Sequence, residues 1–187
     1  TDLSLFVFFG GTLAAFYIGY RERRRSFFYI AYACAGLAVL TKGPIGFLLP
    51  GLIILIFLLA ARDLSALGRI CLPTGLLVFA AVCAPWYVYM YLVHGADFVN
   101  TFLGIHNVLR ATVSEHAQWD VWYFYLGIYV LGMFPWSFAL PLALFRAWRV
   151  RPVVETRTLF LLVWAIVVPV FFQMMATKYP TYSFPAL

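Results

Sequence analysis

The 187-residue sequence predicts an all-α, polytopic transmembrane helical bundle, and three observations carry that prediction. Hydrophobic residues make up 65% of the chain and charged residues only 11%, whereas soluble domains carry about 25% charged residues. Charge-free apolar runs recur at lengths near the roughly 20 residues a helix needs to cross a bilayer. No segment alternates polar and apolar residues with the period of two that a barrel strand requires.

The runs are 3–20, 26–41, 43–61, 70–96, 121–145 and 158–177. They predict about six membrane helices, and the apolar C-terminal residues read as the beginning of a seventh. Residues 1–187 therefore read as part of one transmembrane domain, an internal piece of a longer protein with no visible signal peptide. The 26–41 run is short, so its flanking residues must complete the span. Pro50, Pro73, Pro85, Pro135, Pro141 and Pro169 fall in or beside the runs, and membrane helices tolerate proline because neighbouring groups satisfy the freed carbonyls. After the fourth run comes a long loop, 94–120. Within it Phe98, Phe102, Ile105 and Leu109 form one apolar stripe at helical spacing, which predicts an amphipathic helix lying in the membrane interface, with Asp97 near its N-terminus as a cap. Trp119, Trp122, Tyr123, Tyr125 and Trp136 read as an aromatic belt around the fifth run. Cys34, Cys71 and Cys83 show no ligand spacing and read as small buried hydrophobes.

Orientation follows from charge. The loops Tyr20–Arg25, Arg62–Arg69 and Arg146–Arg157 hold Arg21, Arg23, Arg24, Arg25, Arg62, Arg69, Arg146, Arg149, Arg151 and Arg157 against Glu22, Asp63 and Glu155. They alternate with Thr41–Pro44, 94–120 and Ala176–Tyr182, which hold Lys42, Arg110 and Lys178; Asp2, Asp97, Glu115 and Asp120 fall on the same side. The positive-inside rule makes the Arg-rich set cytoplasmic, facing anionic membrane lipids, and the other set outward. The net charge of +6 is thus a topology signal, and no nucleic-acid partner is expected.

The three outward cations work against that orientation and call for another reason. Lys42 lies in Thr41-Lys42-Gly43-Pro44, a tight turn in which Gly43 permits unusual backbone angles and Pro44 suits the next helix's first turn. An ammonium beside a helix N-terminus favours an anion such as phosphate; the alternative is a lysine that snorkels to the interface. His106 and Arg110 form an i, i+4 pair, and His116 flanks the same arginine from the other side. His94 reads as a structural histidine. Three histidines and Glu115 could hold a divalent metal, but their spacing matches no ligand motif, so no metal site is assigned and no cofactor is expected. Lys178, Tyr179 and Tyr182 bring a cation and two phenols to the last outward segment.

These motifs resemble, in order, the bacterial membrane glycosyltransferases of the GT-C type. GLAVLTKGPIGFLLPGL at 36–52 is similar to their lysine turn. Ala84-Pro85-Trp86-Tyr87, the His106/Arg110/His116 loop leading to Trp122-Tyr123 and Gly132–Trp136, and Lys178–Tyr182 follow as expected. The likeness is to the lipid A 4-amino-4-deoxy-L-arabinose transferases and the protein O-mannosyltransferase superfamily. It implies a multi-pass enzyme of the cytoplasmic (inner) membrane that moves a sugar from a polyprenyl-phosphate donor to a lipid, glycan or protein acceptor on the outer, periplasmic face. It implies that Lys42, Arg110 and Lys178 bind the donor phosphate, and that His106, His116, Tyr179 and Tyr182 bind substrate. It places the family's catalytic acid in an outward loop upstream of Thr1, so this stretch alone is expected to be inactive. The alternative function is a membrane transporter or lipid flippase, but no charge lies inside a predicted span and no inverted repeat is evident.

Overall fold

The computed structural model describes residues 2–102, 121, 123–132, 134, 136–139, 142, 145, 155–175 and 178. These residues contain helices and no strand, as the composition and runs predict. The chain divides into two compact units, 1–109 and 110–187.

The first unit holds α1 (Asp2–Glu22), α2 (Arg25–Lys42), α3 (Ile45–Ala60), a 3-10 turn (Leu64–Gly68) and α4 (Leu72–Val99). Of these, α1 and α4 are long and apolar enough to span a membrane. The 26–41 run gains its flanking residues and becomes an 18-residue helix, about 27 Å long. The short helix is instead α3, 16 residues, because Gly43 and Pro44 form a corner and the chain turns after Ala60. Pro50 and Pro85 are accommodated inside α3 and α4.

The core of this unit is a seam along α1, where Leu5, Phe9, Leu13 and Phe16 are buried against Phe28, Ala31, Ala35 and Ala38 of α2 and Leu49, Ile53 and Phe57 of α3. Lipid tails are as apolar as leucine, so helices in a bilayer associate by close packing, which favours small residues at the contact. The alanines of α2 meet that need. So do Gly36, where an added Cβ would lie 2.9 Å from the Cβ of Val82, and Gly46, where it would lie 2.5 Å from the carbonyl carbon of Ala38. Phe57 presents its ring edge-on to Phe16 and Tyr20, at centroid distances of 6.4 and 5.3 Å. On α4, Leu77 and Leu92 are 70% and 77% exposed, the surface of a helix that faces lipid.

The members of the two predicted charge sets that this unit holds among the described residues sort to opposite ends of it. At one end the Tyr20 hydroxyl donates to Asp63 (3.1 Å) and Arg69 pairs with the same carboxylate (2.8 Å). At the other, Lys42 meets Asp2 and the Tyr87 hydroxyl donates to the Val39 carbonyl (3.1 Å). The α3 helix closes on a Schellman pattern, with Asp63 N–H bonded to the Leu58 carbonyl and Arg62 N–H to that of Leu59. Arg62 takes the left-handed position (φ 56°) that glycine usually fills, and Arg23 and Cys71 do the same at φ 55° and 53°. Cys71 is therefore a half-buried residue of the turn before α4, not the buried hydrophobe the sequence suggested; Cys83 is buried and Cys34 half-buried.

The α4 helix runs three residues past the end of its predicted run, and its break comes at Gly95 (φ 59°, ψ −144°). Beyond it Phe98 and Phe102 stack at 5.4 Å and both approach the Tyr87 ring, at 6.3 and 5.6 Å. The first two members of the predicted stripe thus share a face; the rest of the amphipathic segment lies outside the described residues. Asp97 falls in the turn that follows the break, and His94 is exposed on α4.

In the second unit the described elements are α5 (Phe124–Gly132), a 3-10 turn at Trp136–Phe138 and α6 (Thr156–Met174). The expected single helix over 121–145 is interrupted: α5 ends at Gly132 and Phe134 lies in a turn. Glycine and a proline at 135 supply the reason, since proline disfavours helical angles in the residue before it. The α6 helix is long and apolar enough to span, with Pro169 inside it. Tyr125, expected in the aromatic belt, is 1% exposed and packs against Phe172. Gln173 fixes this contact, its amide donating to the Val121 carbonyl (3.0 Å) and accepting from Tyr125 N–H (3.4 Å).

Candidate functional site

The candidate site is built around the corner between α2 and α3. The α2 helix ends because Gly43 turns to φ 80°, ψ −160°, with its N–H on the Val39 carbonyl at 2.8 Å. Pro44, at φ −54°, starts the next helix, and Gly46 lets α3 cross directly over the Ala38–Val39 backbone. The corner is therefore rigid, and Lys42 on the last turn of α2 projects from a fixed point. Its ammonium lies 2.7 Å from Asp2 Oδ1, with the two side chains 28% and 40% exposed. The N–H groups of Gly43, Gly46 and Phe47 all bond to backbone carbonyls. The corner thus offers an anion the Lys42 charge rather than the row of helix N–H groups that the sequence suggested.

Asp2 is the site residue that sequence reasoning missed. The signal was present, since Asp2 opens the first apolar run and falls on the outward side with Lys42. What one-dimensional reading lacked was the packing of α1 on α2 that brings the two together across 40 positions.

Lys178 is 3% exposed, so it is a buried cation and not a snorkelling one. An ammonium can be held out of solvent only with compensating polar or anionic contacts, and Lys178 has interactions of that kind or with a ring. Arg110, His106, His116, Tyr179 and Tyr182 lie outside the described residues. Among the described residues no group of three or more His, Cys, Asp or Glu is placed to hold a metal. Every charged residue on a described helix lies within about a turn of a helix end, the opposite of the midplane charges a transporter uses.

No family model matches the chain. An undecaprenyl phosphate-α-4-amino-4-deoxy-L-arabinose arabinosyl transferase of Pseudomonas aeruginosa is 34% identical over 171 residues, 89% of this chain and 30% of that protein. Transferase 2 of the same name from Pseudomonas fluorescens is 33% identical over 168 residues, 89% of this chain and 28% of that one. The crystal structure of ArnT from Cupriavidus metallidurans bound to undecaprenyl phosphate matches with a TM-score of 0.86 and 27% identity, over 99% of this chain and 34% of that one. This chain thus spans about a third of the length of these relatives. In sequence and in fold, over nearly all of its residues, the chain is similar to about a third of each of these aminoarabinose transferases.

Proposed function

We propose that the chain forms part of an inner-membrane glycosyltransferase that moves a sugar from a polyprenyl-phosphate donor to a lipid, glycan or protein acceptor on the outer face, and that Lys42 binds the donor phosphate. The observation that carries this reading is the fixed Lys42 ammonium, held beside Asp2 at the end of the unit opposite the Arg-rich loops. It occurs in a chain whose relatives are named for an undecaprenyl phosphate sugar, so that donor is the first to try.

The chemistry suits the residues. An acceptor oxygen attacks the anomeric carbon, the bond from that carbon to the phosphate oxygen breaks, and the departing lipid phosphate gains negative charge. A cation fixed beside that oxygen stabilises the transition state more than the ground state, which is what accelerates a reaction. Asp2 is a positioning residue that keeps the ammonium at the corner. Arg110 and Lys178 supply further positive charge to the phosphate, the buried Lys178 acting where screening by water is weak. His106, His116, Tyr179 and Tyr182 contact sugar or acceptor.

The test is transfer from a defined polyprenyl-phosphate sugar by purified full-length protein. Lys42→Ala should lower turnover by about 10²–10³, or about 3–4 kcal/mol, by comparison with other lost transition-state contacts. Lys42→Arg keeps the charge in a different shape and should retain partial activity. Near-normal turnover of Lys42→Ala, at saturating donor and equal folded protein, would refute the role.

A further inference from the structure

At the end of the first unit opposite Lys42, the Tyr20–Arg25 turn and the 3-10 turn enclose an open cleft of about 220 Å³. That is the liquid volume of about seven waters, room for a phosphate and a short alcohol. Its walls include Arg23, Arg25 and Arg69, its floor Phe28 and Ala66, and Tyr20 stands beside them. Phe28 and Ala66 are 4% and 1% exposed, so the floor is solid packing and the charges stand at the rim. Arg69 is paired with Asp63 at 2.8 Å and Arg24, outside the cleft, with Glu22 at 3.8 Å. Arg23 and Arg25 make no ion pair within the described residues. Three guanidinium groups against one carboxylate leave the cleft with an excess positive charge.

We propose that this cleft binds the phosphate head group of an anionic membrane lipid. The cleft lies where the span-length helix α1 ends and α2 begins, and the end of a membrane-spanning helix falls near the head groups. A guanidinium presents a planar fork of donors that matches phosphate oxygens, and basic pockets between helix ends on the cytoplasmic side are a recurrent mode of lipid recognition. The apolar floor accepts the glycerol carbons beside the phosphate. This site is separate from the Lys42 corner and does not depend on the transferase reading.

The experiment uses purified full-length protein in nanodiscs of neutral lipid, with or without cardiolipin or phosphatidylglycerol. Bound lipid is counted by native mass spectrometry and thermal stability is followed in parallel. The Arg23→Gln/Arg25→Gln double variant should retain about tenfold less anionic lipid or fall further, and its stability should no longer rise with that lipid. Arg24→Gln should behave as the unaltered protein, since Arg24 faces Glu22 and the Phe27 ring. Gly68→Leu leaves every charge in place and meets open space at its Cβ, so it should fold and lose the lipid by filling the cleft. Should the double variant fail to fold, Arg23→Lys/Arg25→Lys and Gly68→Leu decide, the lysine pair by weakened retention. Equal loss in Arg24→Gln, or full retention in Gly68→Leu, would reduce the effect to general surface charge and overturn the site. A matching stabilisation by inorganic phosphate in neutral nanodiscs would assign the cleft to a soluble phosphate and overturn the lipid.

Discussion

Asp63 ties three pieces of the Arg-rich end together. Its carboxylate accepts from the Ser65 hydroxyl at 2.5 Å, the Tyr20 hydroxyl at 3.1 Å and Arg69 at 2.8 Å. The Ser65 bond is the largest effect and, with the Tyr20 bond and the Arg69 charge, holds the carboxyl below its ordinary value against desolvation, the second-largest effect, which pushes it up. A depressed carboxyl contributes stability that is complete above its unfolded value, about 3.9, and is lost as pH falls through the lower folded value. Hydrogen exchange across residues 62–69, taken relative to the intrinsic rate at each pH, should therefore stay constant from neutral pH to about 5 and quicken below about 4. Asp63→Asn should show the quick exchange already at neutral pH; unchanged protection in that variant would remove Asp63 from this role. The Lys42–Asp2 pair at the other end has similar geometry but a different surrounding, half-covered by the α2–α3 corner. An exposed pair of this kind is worth about 0–1 kcal/mol, so its interest lies in where it holds the ammonium and not in how much it stabilises the fold.

At the scale of helices, the corner depends on how closely α3 crosses α2. A Cβ at Gly46 would lie 2.5 Å from the Ala38 carbonyl carbon and 2.7 Å from Val39 N. Those are backbone atoms that cannot swing away, so the helices themselves must part. Gly46→Ala should cost about 1–3 kcal/mol, as overpacking does, and should displace Lys42. Gly51 is the control, since its Cβ meets nothing within 4 Å and alanine there should be neutral or stabilising by about 0.5–1 kcal/mol. Thermal unfolding of both variants in detergent checks this, and equal melting temperatures would contradict the crossing geometry. The same helices show what a sequence can and cannot tell. The spans were legible because lipid demands long apolar runs, and Gly43-Pro44 marked the corner because few other pairs turn so sharply. Neither the crossing at Gly46 nor the 40-residue separation between Asp2 and Lys42 leaves a local trace. Tyr125 was misread for a related reason. An aromatic near a helix end suits an interface belt or a packed core equally well, and only the Gln173 and Phe172 contacts from α6 decide between them.

For the molecule as a whole, the charge sets at opposite ends of the first unit predict a topology that can be measured in intact cells. Cysteine at Leu67, 40% exposed beside the arginines, should escape an impermeant thiol reagent, and cysteine at Ser114 should react. Labelling at Leu67 without labelling at Ser114 would invert the orientation and with it the face proposed for the chemistry. The two ends also make their turns differently. Beside Lys42 and at the head of the 94–120 loop, positive φ falls on Gly43 and Gly95; at the Arg-rich end it falls on Arg23, Arg62 and Cys71. A left-handed backbone costs a side-chain-bearing residue about 1–2 kcal/mol. Glycine at 23 or 62 would relieve that strain, and each relief would delete a positive charge from the face that sets insertion. At 23 it would also strip a guanidinium from the cleft. Random mutation selected for heat resistance would thus drift toward a protein that folds more easily and inserts less faithfully. Thermal stability and correct orientation in the membrane pull on the same two arginines in opposite directions.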